Sequence, residues 1–300
     1  MRLGLAAGAI MNKLLPGVIA IIALAGAVSA NAADMAVKAP PVAPSPAPVF
    51  NWSGFYVGAN AGYGWKDPTV NFTPNDFTAF EGTCGGVAGG TCIPAASFGI
   101  GGDLGGIEAG YDWKLSQQWL VGLAADFDWA GLKGSGTSNF TLGSATPAAS
   151  NFQASEEVKW FGTVRARLGW LPTNKLLLYG TGGLAYGHYD ATAVLNSQFN
   201  ANLAGGPPFF EYNCVPAAGC FNGSASHTSA GWTLGGGGEF VVTNHITLKA
   251  EYLYVNLGHI SVDSVGVTTL ILPPALPSSF MANFSTMSFN VVRAGLDYKF

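Results

Sequence analysis

The charged side chains of this sequence are sparse, and their spacing is regular. Asp126 and Asp128 alternate with Ala125, Phe127 and Trp129, and Arg165 and Arg167 alternate with Val164, Ala166 and Leu168. Lys249 and Glu251 alternate with Leu248, Ala250 and Tyr252, and Arg293, Asp297 and Lys299 with Val292, Ala294, Leu296, Tyr298 and Phe300. Glu108, Asp112 and Glu239 occupy the same kind of position. Acids and bases gathered on one side of extended segments can do two things. They can neutralise one another, because an unpaired ion withdrawn from water costs several kcal/mol. They can also line a narrow polar path whose pairs rearrange. Arg165 and Arg167 opposite Asp126 and Asp128 are the expected adjacent-strand pairing.

Other candidates for chemistry are weaker. Gly180-Thr181-Gly182-Gly183-Leu184-Ala185 fits a dinucleotide fingerprint, but no helical pattern follows it, so it reads as a glycine-lined strand. His259, Ser261 and Asp263 alternate on one strand face, and a lipid hydrolase would need such groups within hydrogen-bond reach. Neighbours along one strand do not reach that geometry without a turn. His188, His227 and His245 fall in expected loops or turns and receive no role. No catalytic residue, cofactor or metal ligand is expected. Cys84 and Cys92 lie close together, as do Cys214 and Cys220, and neither spacing is a zinc pattern. In a secreted chain they read as two local loop disulfides, with other connectivities open.

What must position the charges follows from composition and periodicity. The 300-residue chain is 49% hydrophobic and 10% charged, with 42 glycines and a formal charge of −4. So few charges suit a membrane protein, and the absence of a basic cluster argues against a nucleic-acid partner. Only the N-terminus carries a long apolar run. Arg2 and Lys13 precede Leu14–Ala27, and Val28-Ser29-Ala30 and Ala30-Asn31-Ala32 are small-residue cleavage patterns. Residues 1–32 are therefore expected to be a signal peptide, with Met1 or Met11 as its start. Residues 33–50 form a Pro/Ala-rich periplasmic linker, and 51–300 the folded domain. A membrane protein without spanning helices has one other solution, a closed β-barrel.

Period-two alternation marks segments near 55–65, 107–113, 119–129, 160–170, 176–186, 232–240, 246–254 and 292–300. Short turns separate some of them. Long loops are expected at about 67–102, 131–157, 188–229 and 258–286. Short periplasmic turns, long external loops and aromatic residues at strand ends fit an eight-stranded antiparallel up-and-down transmembrane β-barrel. The alternation also fits a soluble lipocalin-type barrel with its faces reversed. The terminal Leu296, Tyr298 and Phe300 favour the membrane form, because they look like an outer-membrane assembly signal.

Four segments carry a resemblance. Trp52-Ser53-Gly54-Phe55-Tyr56-Val57-Gly58, Gly182-Gly183-Leu184-Ala185-Tyr186-Gly187, Leu248-Lys249-Ala250-Glu251-Tyr252-Leu253-Tyr254 and Arg293-Ala294-Gly295-Leu296-Asp297-Tyr298-Lys299-Phe300 resemble the alphaproteobacterial outer-membrane β-barrel proteins of the RopB-type, opacity-protein-like surface antigens. The resemblance implies a location in the outer membrane of a Gram-negative bacterium with surface exposure, a role in envelope integrity or narrow porin-like permeation, and no enzymatic activity. The implied partners are outer-membrane lipid and the barrel assembly machinery, with any external ligand unidentified. A surface adhesin acting through its loops is the alternative, and a lipid-modifying barrel enzyme a weaker one.

Overall fold

Alternation of apolar and small or polar residues fixes an extended backbone with two unlike faces. The computed structural model describes residues 50–75, 95–142, 148–197, 200–201, 210–211, 221–268 and 276–300. Its strands are β1 (Gly54–Lys66), β2 (Thr69–Pro74), β3 (Ala96–Ser97), β4 (Ile100–Lys114), β5 (Trp119–Leu142), β6 (Ala148–Thr173), β7 (Leu176–Ser197), β8 (Asn200–Ala201), β9 (Phe210–Glu211), β10 (Phe221–Val241), β11 (Ile246–Asn256), β12 (Ser261–Thr268), β13 (Leu276–Phe284) and β14 (Ser288–Lys299). Eight of them, β1, β4, β5, β6, β7, β10, β11 and β14, pair antiparallel in a ring. The ring closes where β14 returns to β1, with Asp297 opposite Gly58 and Ala294 opposite Ala61. The protein is therefore an all-β, eight-stranded antiparallel barrel.

The short turns are held by local polar groups. Leu115 N–H donates to Trp119 O across 2.9 Å, while Ser116 Oγ accepts from the backbone of Trp119 at 3.1 Å. Thr243 Oγ1 plays the same part for Ile246 N–H at 3.1 Å. At this end Trp52 Nε1–H donates to Asn174 O at 3.1 Å, and Trp52 packs with Leu120, Leu171, Leu177, Tyr179 and Val241 inside the barrel.

The sheet faces run opposite to those of a soluble barrel. Ile107, Leu123, Leu168, Leu184, Leu234 and Leu296 are exposed on the outside, and Leu184 is 68% exposed. Trp113, Trp119 and Trp170 mark the short-turn edge of this apolar belt; Trp129 and Trp232 are exposed further along their strands, towards the other edge. Arg165, Arg167, Glu239, Arg293 and Asp297 are buried inside.

The structure corrects the expected loops. Residues 131–157 are largely ladder: β5 and β6 remain paired from Lys133↔Glu157 to Leu142↔Ala148. β7 and β10 likewise run through much of 188–229, so His188 and His227 lie on strands rather than in loops. Within 258–286, β12 and β13 pair with each other, and β13 also pairs with β2. The strands thus exceed the expected length, and β6 spans 26 residues. The physical reason is that alternation continues beyond the belt with other residues. Phe152, Ala154 and Val158 stay buried inside, while the outward positions change to Asn151, Gln153 and Ser155 once hydrocarbon no longer has to be matched. The projecting storey holds its own apolar core, in which Phe72, Phe152, Phe221 and Phe280 meet, Phe72 and Phe152 at 3.8 Å between ring centroids. All four cysteines, residues 1–49 and the connections between the described segments lie outside the described residues.

Candidate functional site

Between the Trp52 cluster and the upper apolar core lies a layer of buried charge. Inward positions on β5 and β6 supply Asp126, Asp128, Thr163, Arg165 and Arg167. β4 supplies Glu108 and Asp112, β10 Glu239, β11 Lys249 and Glu251, and β14 Arg293, Asp297 and Lys299. Inward glycines make room for them. A Cβ on Gly58 would meet the Asp297 carboxylate, and one on Gly122 would meet Asp112 and Arg167.

Arg293 is the hub. Its Nη1 donates to Asp128 Oδ2 at 2.6 Å, its Nη2 to Asp126 Oδ2 at 2.8 Å and Glu251 Oε2 at 2.7 Å, and its Nε to Glu251 Oε2 at 2.9 Å. Arg165 bridges the same acids, donating to Asp126 Oδ2 at 2.6 Å and Glu251 Oε1 at 2.7 Å. Thr163 Oγ1 donates to Asp126 at 2.8 Å and Tyr179 OH to Glu251 at 3.1 Å.

Nearer the short turns, Arg167 donates to Glu239 Oε2 at 2.6 Å and Tyr56 OH at 3.1 Å, and its Nε lies 3.3 Å from Asp112. Its guanidinium lies over the Tyr179 ring at 4.6 Å and the Tyr56 ring at 5.3 Å. Lys299 Nζ donates to Asp112 Oδ2 at 2.6 Å and to Trp52 O at 3.0 Å. Lys249 pairs with Glu108 and lies 3.8 Å from Asp297. The acids outnumber the bases in this layer.

Arg165 thus meets Asp126, but Arg167 does not meet Asp128. The register explains it: Arg167 stands opposite Gly122 and Asp128 opposite Phe161. Over that glycine Arg167 reaches β4 and β10, and Asp128 is taken by Arg293. Sequence reasoning did not single out Tyr56, Thr163, Tyr179 or Thr247 as partners, although Thr163 shares the face of Arg165. It also missed Lys66 and Glu156, which pair at 2.7 Å in the upper storey. Glu156 lay in the stretch read as loop; its place between Ala154 and Val158 was the available signal. Burial there pushes the Glu156 carboxyl up and the Lys66 ammonium down from their ordinary values, against the attraction between them.

His259, Ser261 and Asp263 are not brought together. His259 precedes β12 and lies 3.0 Å from Thr286 Oγ1, while Asp263 accepts from Asn75 at 3.0 Å. A different polar group forms on the outside, where His188 contacts Thr228 Oγ1 at 2.9 Å through Nδ1 and Ser226 Oγ at 3.3 Å through Nε2. Asp190 faces the same Nε2 at 3.6 Å, so acid and serine compete for one nitrogen rather than flanking the ring. Lys159 holds the Asp190 carboxyl below its usual range. Gly180–Gly183 lie within β7, with no helix after them. Among the described residues no group of three or more His, Cys, Asp or Glu is placed to hold a metal. Leu296, Tyr298 and Phe300 face outward, the last two rings 5.1 Å apart.

Comparison with known proteins agrees with this architecture. Residues 20–300 match the family described as outer membrane protein beta-barrel domain. The 31 kDa outer-membrane immunogenic protein of Brucella melitensis is 36% identical over 288 residues, covering 94% of this chain and 98% of that protein. A 22 kDa outer membrane protein of Rhizobium leguminosarum is 27% identical, covering 70% and 66%. Among solved structures, Ail, the attachment invasion locus protein of Yersinia pestis, is similar over 83% of this chain and 99% of its own, at 13% identity and a TM-score of 0.30. A belt of outward apolar residues around a charged, buried interior, together with a family match over most of the chain, places it in the outer membrane of a Gram-negative bacterium: the chain belongs to the outer-membrane protein β-barrel family.

Proposed function

We propose that the protein is a sealed structural barrel of the outer membrane that carries a folded external storey, and not a conducting pore. The observation that carries this reading is the filling of the lumen in three layers: the Trp52 cluster, the ion-pair layer around Arg293 and the apolar core around Phe161 and Phe289. An eight-stranded barrel is just wide enough for side chains to fill. Envelope integrity suits a rigid, closed wall. In this reading Leu296, Tyr298 and Phe300 serve as the assembly signal, and Cys84–Cys92 and Cys214–Cys220 as loop disulfides.

Planar-bilayer recording of the protein purified from outer membranes tests the proposal. Electrical silence of folded protein, verified by heat-modifiable gel mobility, is expected. Reproducible small steps that change when Arg165 and Arg167 are neutralised would sink it and restore narrow porin-like permeation. A second reading, recognition through the external storey, is favoured by the length of β5, β6, β7 and β10 beyond the belt. It requires binding to survive in barrels with altered interior charge and to vanish when the storey is trimmed.

A further inference from the structure

Where β5 and β6 leave the apolar belt, both strands carry a bulge at the same level. The register slips between Trp129 and Leu132 on β5, and between Val158 and Trp160 on β6. Bulges re-aim side chains. Here they leave Leu132, Val158 and Phe161 buried while Lys133, Lys159 and Trp160 stand on the outer face. Lys133 faces Glu157, so Lys133 and Lys159 are diagonal neighbours across the β5–β6 ladder. Among the described residues every other lysine or arginine is buried or stands at the short-turn edge. These two are therefore the only described cations exposed beside the long-strand rim of the belt. The Lys159 side chain pairs with Asp190 and is still 47% exposed, and Lys133 has no ion-pair partner among the described residues. The residue opposite Lys133 on β4 is Gly101, which leaves the approach open. In the β1–β4 sector the exposed charges at this rim are acids, Asp67 and Asp103.

Two further chemistries flank this pair, one on each side. Towards the belt, Trp129 stands opposite Trp160, and His188 stacks on Trp160 at 5.9 Å. Val164 and Leu184 follow, exposed to hydrocarbon. Away from the belt, uncharged hydrogen-bonding groups line up in register. Ser135, Ser155, Thr192 and Ser224 form one row across β5, β6, β7 and β10. Thr137 and Gln153 form part of the next, and Asn139, Asn151 and Asn196 another. The wall thus runs from apolar to aromatic, then cationic, then hydroxyl and amide.

We infer that this face of β5, β6, β7 and β10 docks one phosphorylated glycolipid of the outer leaflet. Its acyl chains lie against Val164 and Leu184, a phosphate sits at Lys133 and Lys159, and its sugars meet the row from Ser135 to Ser224. The order of chemistries selects this occupant. A glycerophospholipid has nothing to offer rows of hydroxyls and amides beyond its phosphate, and a second copy of this face would set cation against cation. Strands about 4.8 Å apart present those rows at a spacing that suits the hydroxyls of successive sugar rings. Glu157 and Asp190 face each other between the two lysines and the hydroxyl rows, so the lysines answer a single phosphate. The inference rests on the storey lying outside the cell.

Native mass spectrometry of the protein refolded in detergent, challenged with equal amounts of lipid A and of lipid A stripped of its phosphates, tests the inference. One retained phosphorylated lipid is expected, favoured about ten-fold. Lys133→Gln breaks no ion pair and should lower that preference about five-fold, and Lys133→Arg should keep it. Lys159→Gln with Asp190→Asn removes the second cation without stranding an acid, and should lower the preference in the same way. Ser155→Val with Thr192→Val should spare lipid A and weaken retention of a rough lipopolysaccharide carrying core sugars. All variants are compared at heat-modifiable mobility equal to the parent. A parent that retains both lipids equally overturns the inference, as does parental preference in both lysine variants. Labelling of Gln153→Cys on intact cells with a membrane-impermeant maleimide reads the placement of the storey separately. No labelling above the parent removes the external storey and this inference together, whereas labelling without a phosphate preference removes this inference alone.

Discussion

Arg293 holds three carboxylates at once, and the acids of its layer are in excess. These two facts give unequal costs to neighbouring substitutions. Arg293→Met leaves Asp126, Asp128 and Glu251 short of their shared cation and should destabilise the barrel by about 3–5 kcal/mol. Asp128→Asn removes one surplus acid and should cost much less. Urea unfolding in micelles, followed by tryptophan fluorescence, ranks the two; equal losses would contradict the hub. Lys66 and Glu156 offer the opposite case. Because burial raises the Glu156 pKa, the native state keeps that proton to higher pH than the unfolded chain, so this group's contribution to stability falls as pH rises above the ordinary glutamate value of 4.5. Lys66→Met with Glu156→Leu should therefore match or exceed the parent by up to about 4 kcal/mol at neutral pH, and its stability should lack that slope. The inward set of charges was legible because strand periodicity is strict: Arg165 and Arg167 alternate with apolar neighbours, so they share a face. Strand adjacency pointed to Asp126 for Arg165, but the partners of Arg167 were hidden, since pairing across the lumen depends on register and on the gap left by Gly122, which no local pattern encodes.

The strands above the belt carry a different kind of information. Their outward residues are mostly Asn, Gln, Ser, Thr and charged side chains such as Lys133 and Lys159, so hydropathy drops there and the stretch reads as loop although the ladder continues. The inward Phe152, Ala154, Glu156 and Val158 of β6, and Tyr189, Ala191, Ala193 and Leu195 of β7, keep the beat. Lys133 lies within this ladder, paired with Gly101 of β4 on one side and Glu157 of β6 on the other. Trypsin applied to intact cells should leave the peptide bond after Lys133 uncut, as read by peptide mapping; efficient cleavage there would return this segment to a loop. Phe152→Ala should remove a buried ring that touches Phe72 and Phe280 and cost about 3–5 kcal/mol, seen as lost protease resistance of the upper storey with the membrane portion still folded.

As a whole, the molecule is a wall turned inside out relative to a soluble barrel. Leu184 is 68% exposed and faces hydrocarbon, so Leu184→Lys should cost about 2–4 kcal/mol if it sits near the bilayer midplane, measured by reversible unfolding from lipid vesicles. The eight-fold count and the direction of the faces were readable from alternation and the terminal aromatics; the height was not. With β6 at 26 residues and ~3.3 Å per residue, one strand measures roughly 86 Å, and at a tilt of about 40° it still rises some 65 Å, against an apolar band of ~25 Å. The barrel is thus a mast as much as a wall. A fluorophore on the exposed Gln153, in the outer part of β6, would report from the medium, darkened by a water-soluble quencher and indifferent to one dissolved in lipid, and whatever meets the cell from outside would touch this tip before the bilayer.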